Sequence, residues 1–147
     1  MKLSTKGRYG TRVLLDLALY QGKTPVSLKD IAQRQEIPLA YLKRLIGPLI
    51  TGGLMRSVRG VGGGVLLAKP PAEITLAEII ELLEGNAALV ECINNPEVCE
   101  RSEWCAARDI WSELDRAANG ILKSTTLQDL VDRQRKKEQS AKVMYYI

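Results

Sequence analysis

Apolar residues across positions 7–21 recur at the spacing of one helical face, Tyr9, Val13, Leu14, Leu17, Ala18 and Tyr20, and Gly22 with Pro25 supplies the stop. This predicts a first helix. Ser27-Leu28-Lys29-Asp30 sets a hydroxyl three residues ahead of an acid, a variant of the capping box, and opens a short helix to about Gln35 with Leu28, Ile31 and Ala32 inward. After a turn at Pro38, a third helix carries Leu42, Leu45, Ile46, Leu49 and Ile50 on one face and leaves Ala40, Tyr41, Lys43, Arg44 and Gly47 on the other. Pro48 is expected to kink or loosen its last turns, which end near Thr51-Gly52-Gly53.

Two short strands are predicted at residues 54–58 and 65–68, joined by Arg59-Gly60-Val61-Gly62-Gly63-Gly64. Helix, short helix, turn, helix and glycine-rich hairpin together predict a winged helix-turn-helix. Pro70-Pro71 makes a boundary, beyond which Thr75-Leu76-Ala77-Glu78 caps a helix that turns Leu76, Ile79, Ile80 and Leu83 inward and ends at Gly85. Residues 86–102 read as irregular. A long helix is expected over 103–123, roughly 30 Å at ~1.5 Å per residue, with Trp104, Ala107, Ile110 or Trp111, Leu114, Ala118, Ile121 and Leu122 as its apolar stripe. A helix of that length calls for a partner. Thr126-Leu127-Gln128-Asp129 caps a last helix to about Lys137, and a tail ends in Met144-Tyr145-Tyr146-Ile147. The fold class is therefore mainly α, a winged helix-turn-helix with a small β-hairpin wing and a long C-terminal dimerisation helix. Its expected organisation is a winged helix-turn-helix domain over 1–70, dimerisation helices and a cysteine-containing segment over 71–137, and a C-terminal tail over 138–147.

The 147 residues suit one domain, or one domain with a dimerisation element. No His is present, which excludes Ser-His-Asp and Cys-His catalysis and every His-containing metal site. Nothing places a nucleophile beside a base, so no enzyme is expected. No run of about 18 uncharged apolar residues occurs, and the first residues lack a secretory h-region; the expectation is a cytoplasmic protein without a membrane partner. The net charge of +4 conceals an asymmetry. Residues 1–70 carry 12 Lys and Arg against three acids, a balance of +9, whereas residues 71–147 carry nine against fourteen, a balance of −5. A basic half implies an anionic partner.

In a helix-turn-helix the second helix of the motif enters the major groove with its N-terminal residues against base edges, which nominates Ala40, Tyr41, Lys43 and Arg44. Lys43 and Arg44 can reach phosphate or the O6/N7 edge of guanine. At the hairpin tip, Arg59 and Gly60 precede a turn whose glycines let backbone approach phosphate, and one guanidinium there fits a narrow minor groove. A nucleotide phosphate loop is the competing reading. It fails because no Lys-Ser/Thr follows the glycines and Val65-Leu66-Leu67 continues as a strand. Double-stranded DNA is the expected ligand, with protein contacts as the other use of such a domain.

Cys92, Cys99 and Cys105 fall within an acidic loop and at the first turn of the long helix. Clustered thiols in a protein expected in the cytosol suit a soft metal. Ordinary buried thiols and a structural zinc site are the alternatives, although three Cys do not complete a tetrahedral set. Trp104 and Trp111 are expected to pack the dimer core. The run Arg133-Gln134-Arg135-Lys136-Lys137 reads as a solvated helix end.

Lys6-Gly7-Arg8-Tyr9-Gly10, Tyr41-Leu42 followed by Leu45, Val58-Arg59-Gly60-Val61-Gly62-Gly63-Gly64 and the three-Cys segment resemble the IscR, NsrR and CymR family of bacterial transcription regulators, over nearly the whole chain. The resemblance implies a homodimer on a pseudo-palindromic operator, with long C-terminal helices crossing in the dimer core. It also implies Tyr41 and position 43 as recognition-helix contacts and Arg59 as the wing contact. Relatives similar to IscR often carry Glu where this chain has Lys43. For the three Cys it implies an iron–sulfur cluster, 2Fe–2S in first place and 4Fe–4S as the alternative, controlling operator affinity. Genes of iron–sulfur assembly, iron or cysteine and sulfur metabolism are the implied targets. Two departures bear on the fourth ligand: Arg108 stands where a His is expected three residues after the last Cys, and Arg8 stands where some members carry an Asp. Asp109, Glu103, Glu97, Glu100, a residue of the other subunit or an exogenous small molecule remain as candidates. The ending Met144-Tyr145-Tyr146-Ile147 resembles that of the family's cysteine-metabolism regulators. That implies a second mode of control, in which Tyr145, Tyr146 and Ile147 dock into cysteine synthase and the Cys segment is structural.

Overall fold

The computed structural model of the chain describes residues 2–86 and 88–146. The first helix, α1 (Thr5–Tyr20), starts at Ser4, whose hydroxyl accepts from the Gly7 amide, and buries Val13, Leu14, Asp16 and Leu17. Helix α2 (Leu28–Gln35) is capped by Ser27 accepting from the Asp30 amide, and turns Ile31 and Ala32 into the core, with Leu28 half-buried. It ends at Glu36, whose φ of 53° reverses the chain. Helix α3 (Leu39–Thr51) buries Leu42, Leu45, Ile46 and Leu49, and it continues through Pro48 to Thr51.

Strands β1 (Met55–Val58) and β2 (Gly64–Leu67) form an antiparallel hairpin with Met55 opposite Leu67 and Val58 opposite Gly64. Its base is anchored: Val65 pairs with Val26 ahead of α2, and the Leu67 amide donates to the Gln21 side chain. Helix α4 (Leu76–Glu84) lies across α1 so closely that a Cβ on Gly10 would stand 2.1 Å from Leu83 Cδ1. Glu84 closes the same seam by accepting from the Ser4 amide and hydroxyl, both at 2.8 Å. Leu76 and Ile80, expected inward, are half-buried.

Between α4 and the long helix the chain is more ordered than its sequence suggests. It forms a single-turn helix α5 (Glu91–Asn94) and two short 3₁₀ turns, Pro96–Val98 and Ser102–Trp104. Helix α6 (Ala106–Ser124) begins three residues later than expected, with Cys105 as its N-cap. Helix α7 (Leu127–Tyr145) opens on a reciprocal capping box between Thr126 and Asp129. The Thr126 amide and hydroxyl also hold the Asp129 carboxyl below its usual range. Leu127 and Val131 plug the core, while the Leu127 amide donates to the Ile74 carbonyl at 2.8 Å. The expected end near Lys137 is overtaken. Residues 128–145 contain no Gly or Pro, and helix formers carry the helix to Tyr145, aided by Gln134 donating to Glu138. Ile147 lies outside the described residues. Among the described residues no helix is long and apolar enough to cross a membrane.

One hydrophobic cluster joins α1, α2, α3 and the hairpin to Ile74, Ile79, Leu83 and Leu127, so the core runs on past Pro70-Pro71. Inside it sits one anion. Asp16, wholly buried, accepts from Arg34 Nε at 3.0 Å and Nη2 at 2.7 Å and from Gln35 Nε2 at 2.9 Å. The hydrogen bond to Asp16 holds the Arg34 guanidinium above its ordinary pKa, and its outer face stacks on Tyr20 at 4.3 Å. Removing Arg34 leaves a buried carboxylate with Gln35 alone. Arg34→Ala is therefore expected to lower stability by about 3 kcal/mol, and the paired change Asp16→Leu with Arg34→Leu by less, in urea unfolding at fixed protomer concentration.

Candidate nucleic-acid interface and cysteine segment

The exposed face of α3 is built by elimination: Leu42, Leu45, Ile46 and Leu49 are committed to the core, so the intervening residues point out. Ala40, Lys43 and Arg44 are exposed and Tyr41 is half-buried. Tyr41 meets the ring of Tyr9 edge-on, centroids 5.8 Å apart at 87°, and the Arg44 guanidinium lies 5.9 Å from the Tyr41 ring centroid. On the far side of Tyr9 the Arg12 guanidinium stands 5.3 Å from the ring and donates to Gln35, at Oε1 and at the backbone carbonyl.

The wing contrasts a buried base with an open tip. Val65, Leu66 and Leu67 are buried, whereas Arg59, Gly60 and Val61 are exposed. Gly60, at φ 100°, turns the chain so that its carbonyl accepts from the Gly63 amide at 3.0 Å. Only glycine adopts that conformation without strain. Across residues 59–63 of the tip, Arg59 is the one cation.

Among the described residues two ion pairs form, Asp16 with Arg34 and Lys69 with Glu78. Lys43, Arg44 and Arg59 enter neither, so the +9 half of the chain presents uncompensated positive charge on the recognition face and wing. Charge laid out this way attracts a polyanion and is attenuated by salt.

The cysteine segment is held against α6 at separate points. Arg108 Nε donates to the Cys92 carbonyl at 3.0 Å, and the Leu89 amide donates to Asp115 Oδ1 at 3.0 Å. Ser102, buried, donates its hydroxyl toward the Pro96 carbonyl at 2.6 Å and the Cys99 carbonyl at 2.8 Å. Cys92 and Cys105 are half-buried and Cys99 is exposed, all three as free thiols. Three free thiols on one short segment are the donor chemistry an iron–sulfur cluster takes. As folded they are not one ligand shell: among the described residues no three Cys, Asp or Glu side chains form a group that could hold a metal ion. Asp109, Glu97, Glu100 and Glu103 are exposed around them. Arg108, at the position where a His is implied, is a backbone anchor.

Tyr145 and Tyr146 are 92% and 91% exposed at the end of α7. Trp104 and Trp111, expected in a dimer core, are exposed in the single chain, in line with Ile110, Leu114 and Ile121. Sequence reasoning missed Tyr9, Arg12 and Asp16 as supports of the interface. Asp16 was signalled by its place on the apolar face between Val13 and Leu17; the pairing of Tyr9 with Tyr41 had no local signal.

A family model described as Rrf2, iron-dependent transcriptional regulator, matches residues 3–133. The chain is similar to the HTH-type transcriptional regulator CymR of Bacillus subtilis (strain 168), 42% identical over 130 residues, covering 88% of this chain and 89% of that one. It is also similar to the HTH-type transcriptional regulator IscR of Photorhabdus laumondii, 40% identical over 134 residues, covering 91% and 81%. In three dimensions it matches the structure of CymR (YrzC), described as the global cysteine regulator of B. subtilis, with a TM-score of 0.78 at 40% identity, covering 90% of this chain and 98% of that one.

Proposed function

Because this chain belongs to the Rrf2 family of transcriptional regulators, we propose that it acts as a homodimer on a pseudo-palindromic DNA operator, reading it with α3 and the wing of each protomer. The observation that carries this reading is the unpaired positive charge of Lys43, Arg44 and Arg59 on adjacent exposed elements. Phosphate neutralisation supplies affinity, while Ala40, Tyr41, Lys43 and Arg44 in the major groove and Arg59 with Gly60 at the minor groove supply specificity.

The dimer is supported by α6, whose Ile110, Trp111, Leu114 and Ile121 are 51%, 41%, 50% and 65% exposed. Their spacing makes one stripe along a helix of about 28 Å. A stripe of that kind marks an interaction surface, and a second copy supplies the same stripe in return. Two-fold symmetry of the protein then demands two-fold symmetry of the operator.

Cys92, Cys99 and Cys105 are the residues that would hold an iron–sulfur cluster, 2Fe–2S in first place, with Asp109, Glu97, Glu100 or Glu103 as candidate further ligands. The family's description as iron-dependent and the thiols' place on one segment support this. When bound, such a cluster supplies a centre sensitive to iron supply and redox state. The protein's own part is mechanical. Arg108 and Asp115 fasten the backbone of the segment to α6, so any rearrangement of residues 88–105 bears on the helix that pairs the protomers. Repression of iron–sulfur assembly, iron or cysteine and sulfur metabolism genes is the regulatory output proposed.

Arg59→Ala is expected to lower affinity for a duplex enriched from a random library by at least tenfold, and affinity for scrambled duplex by less than threefold, in titrations at one salt concentration. Equal losses would make Arg59 a phosphate contact only. Protein purified without oxygen is expected to show visible charge-transfer absorption with iron and sulfide present, lost in Cys92→Ser. Colourless, metal-free protein that also fails reconstitution would shift the reading to control by cysteine synthase docking on Tyr145, Tyr146 and Ile147.

A further inference from the structure

Helix α3 is weakly held at its N-terminal end and at one position inside it. Its N-cap is Pro38, which makes no side-chain cap hydrogen bond. Pro48, lacking an amide hydrogen, removes the donor that would bond the Arg44 carbonyl one turn back. The two weak points flank the residues proposed to read DNA. Beyond the burial of Leu42, Leu45 and Ile46, what orients the outward side chains of that stretch lies on another helix. Tyr9 of α1 presents its ring to Tyr41 at 5.8 Å in an edge-to-face arrangement, and Tyr41 in turn underlies Arg44 at 5.9 Å. Arg12, also on α1, backs Tyr9 at 5.3 Å and is fixed by its hydrogen bonds to Gln35, at the end of α2.

We propose that Tyr9 is a positioning residue of the DNA interface: through the stack Arg12–Tyr9–Tyr41–Arg44 it sets the orientation of Tyr41 and Arg44 on α3. The inference rests on the reading of α3 as the recognition helix. Edge-to-face aromatic pairs and guanidinium-on-ring contacts are directional, so the stack selects one rotamer of Tyr41 and draws Arg44 toward one side of the helix. Arg44 remains exposed there and keeps its donors free for a nucleic acid. The Tyr9 hydroxyl makes no hydrogen bond among the described residues, so the ring alone is the functional part.

Two readouts test this, one without DNA. In free protein, Tyr9→Leu is expected to speed amide hydrogen exchange over residues 40–44 about tenfold and leave exchange in β1 and β2 unchanged. With the duplex that wild-type protein enriches from a random library, Tyr9→Leu is expected to reduce the ratio of enriched to scrambled affinity about tenfold. Tyr9→Phe should retain both properties within twofold. In a Tyr41→Ala, Arg44→Ala background, Tyr9→Leu should cost less than a further twofold, because its effect runs through those two side chains. Unchanged exchange over 40–44, equal loss on both duplexes, or failure of Phe to restore the ratio would overturn the proposal. If wild-type protein enriches no duplex, the DNA-binding reading fails, and the exchange readout still decides whether Tyr9 holds α3.

Discussion

The placement of α2 against α1, from which α3 follows, depends on one buried carboxylate. Asp16 has no access to solvent, and its carboxylate is satisfied by three donors from the last residues of α2, Arg34 and Gln35. A buried carboxylate tolerates little displacement of its partners, because losing a donor costs more than a hydrophobic contact of the same size. The end of α2 is thereby pinned to the last third of α1. Directly after it, Glu36 reverses the chain, the Ile37 amide donates to the Ala32 carbonyl, and buried Ile37 fixes where α3 must begin. Gln35 serves twice, since it also receives Arg12, the outer member of the stack beneath Tyr41 and Arg44. Core polarity and surface recognition thus share a residue.

The two halves of the chain divide the physical work. In the first, charge is left unpaired on α3 and the wing, and the apolar residues between the cations are committed to the core. In the second, acids outnumber bases and the apolar surface is left uncovered on α6. A face with unpaired cations and a face with unpaired hydrophobic area are incomplete in different ways, and each suits a different one of the proposed partners, a polyanion and a second copy. The cysteine segment lies beside the second face and is fastened to it by Arg108 and Asp115.

Much of this architecture was legible in the sequence because α1 to α4 each repeat apolar residues at helical spacing and carry a cap or stop residue. Ser27 and Thr75 did mark starts, as the hydroxyl caps of α2 and α4 confirm. The hairpin was legible from its glycines. The run of α7 past Lys137 was not: residues 132–140 are all polar, and a stretch without an apolar stripe leaves no periodicity to read. The turns around the cysteines were also hidden, being too short to repeat. Of the proposed recognition site, Lys43, Arg44 and Arg59 were nominated by motif and charge, and the structure places all three on exposed surface. The stack of Tyr9 on Tyr41 beside Arg44 was not legible, because it joins residues of two helices far apart in the chain.

The central claim is that α3 and the wing form the DNA interface of a symmetric dimer. The most direct measurement is photo-cross-linking to an enriched duplex from Lys43→p-benzoylphenylalanine and, separately, from Arg135→p-benzoylphenylalanine. Position 43 is expected to cross-link at two symmetry-related major-groove sites, a whole number of helical turns apart, and position 135 at none. Cross-links from position 135 with none from position 43 would contradict it.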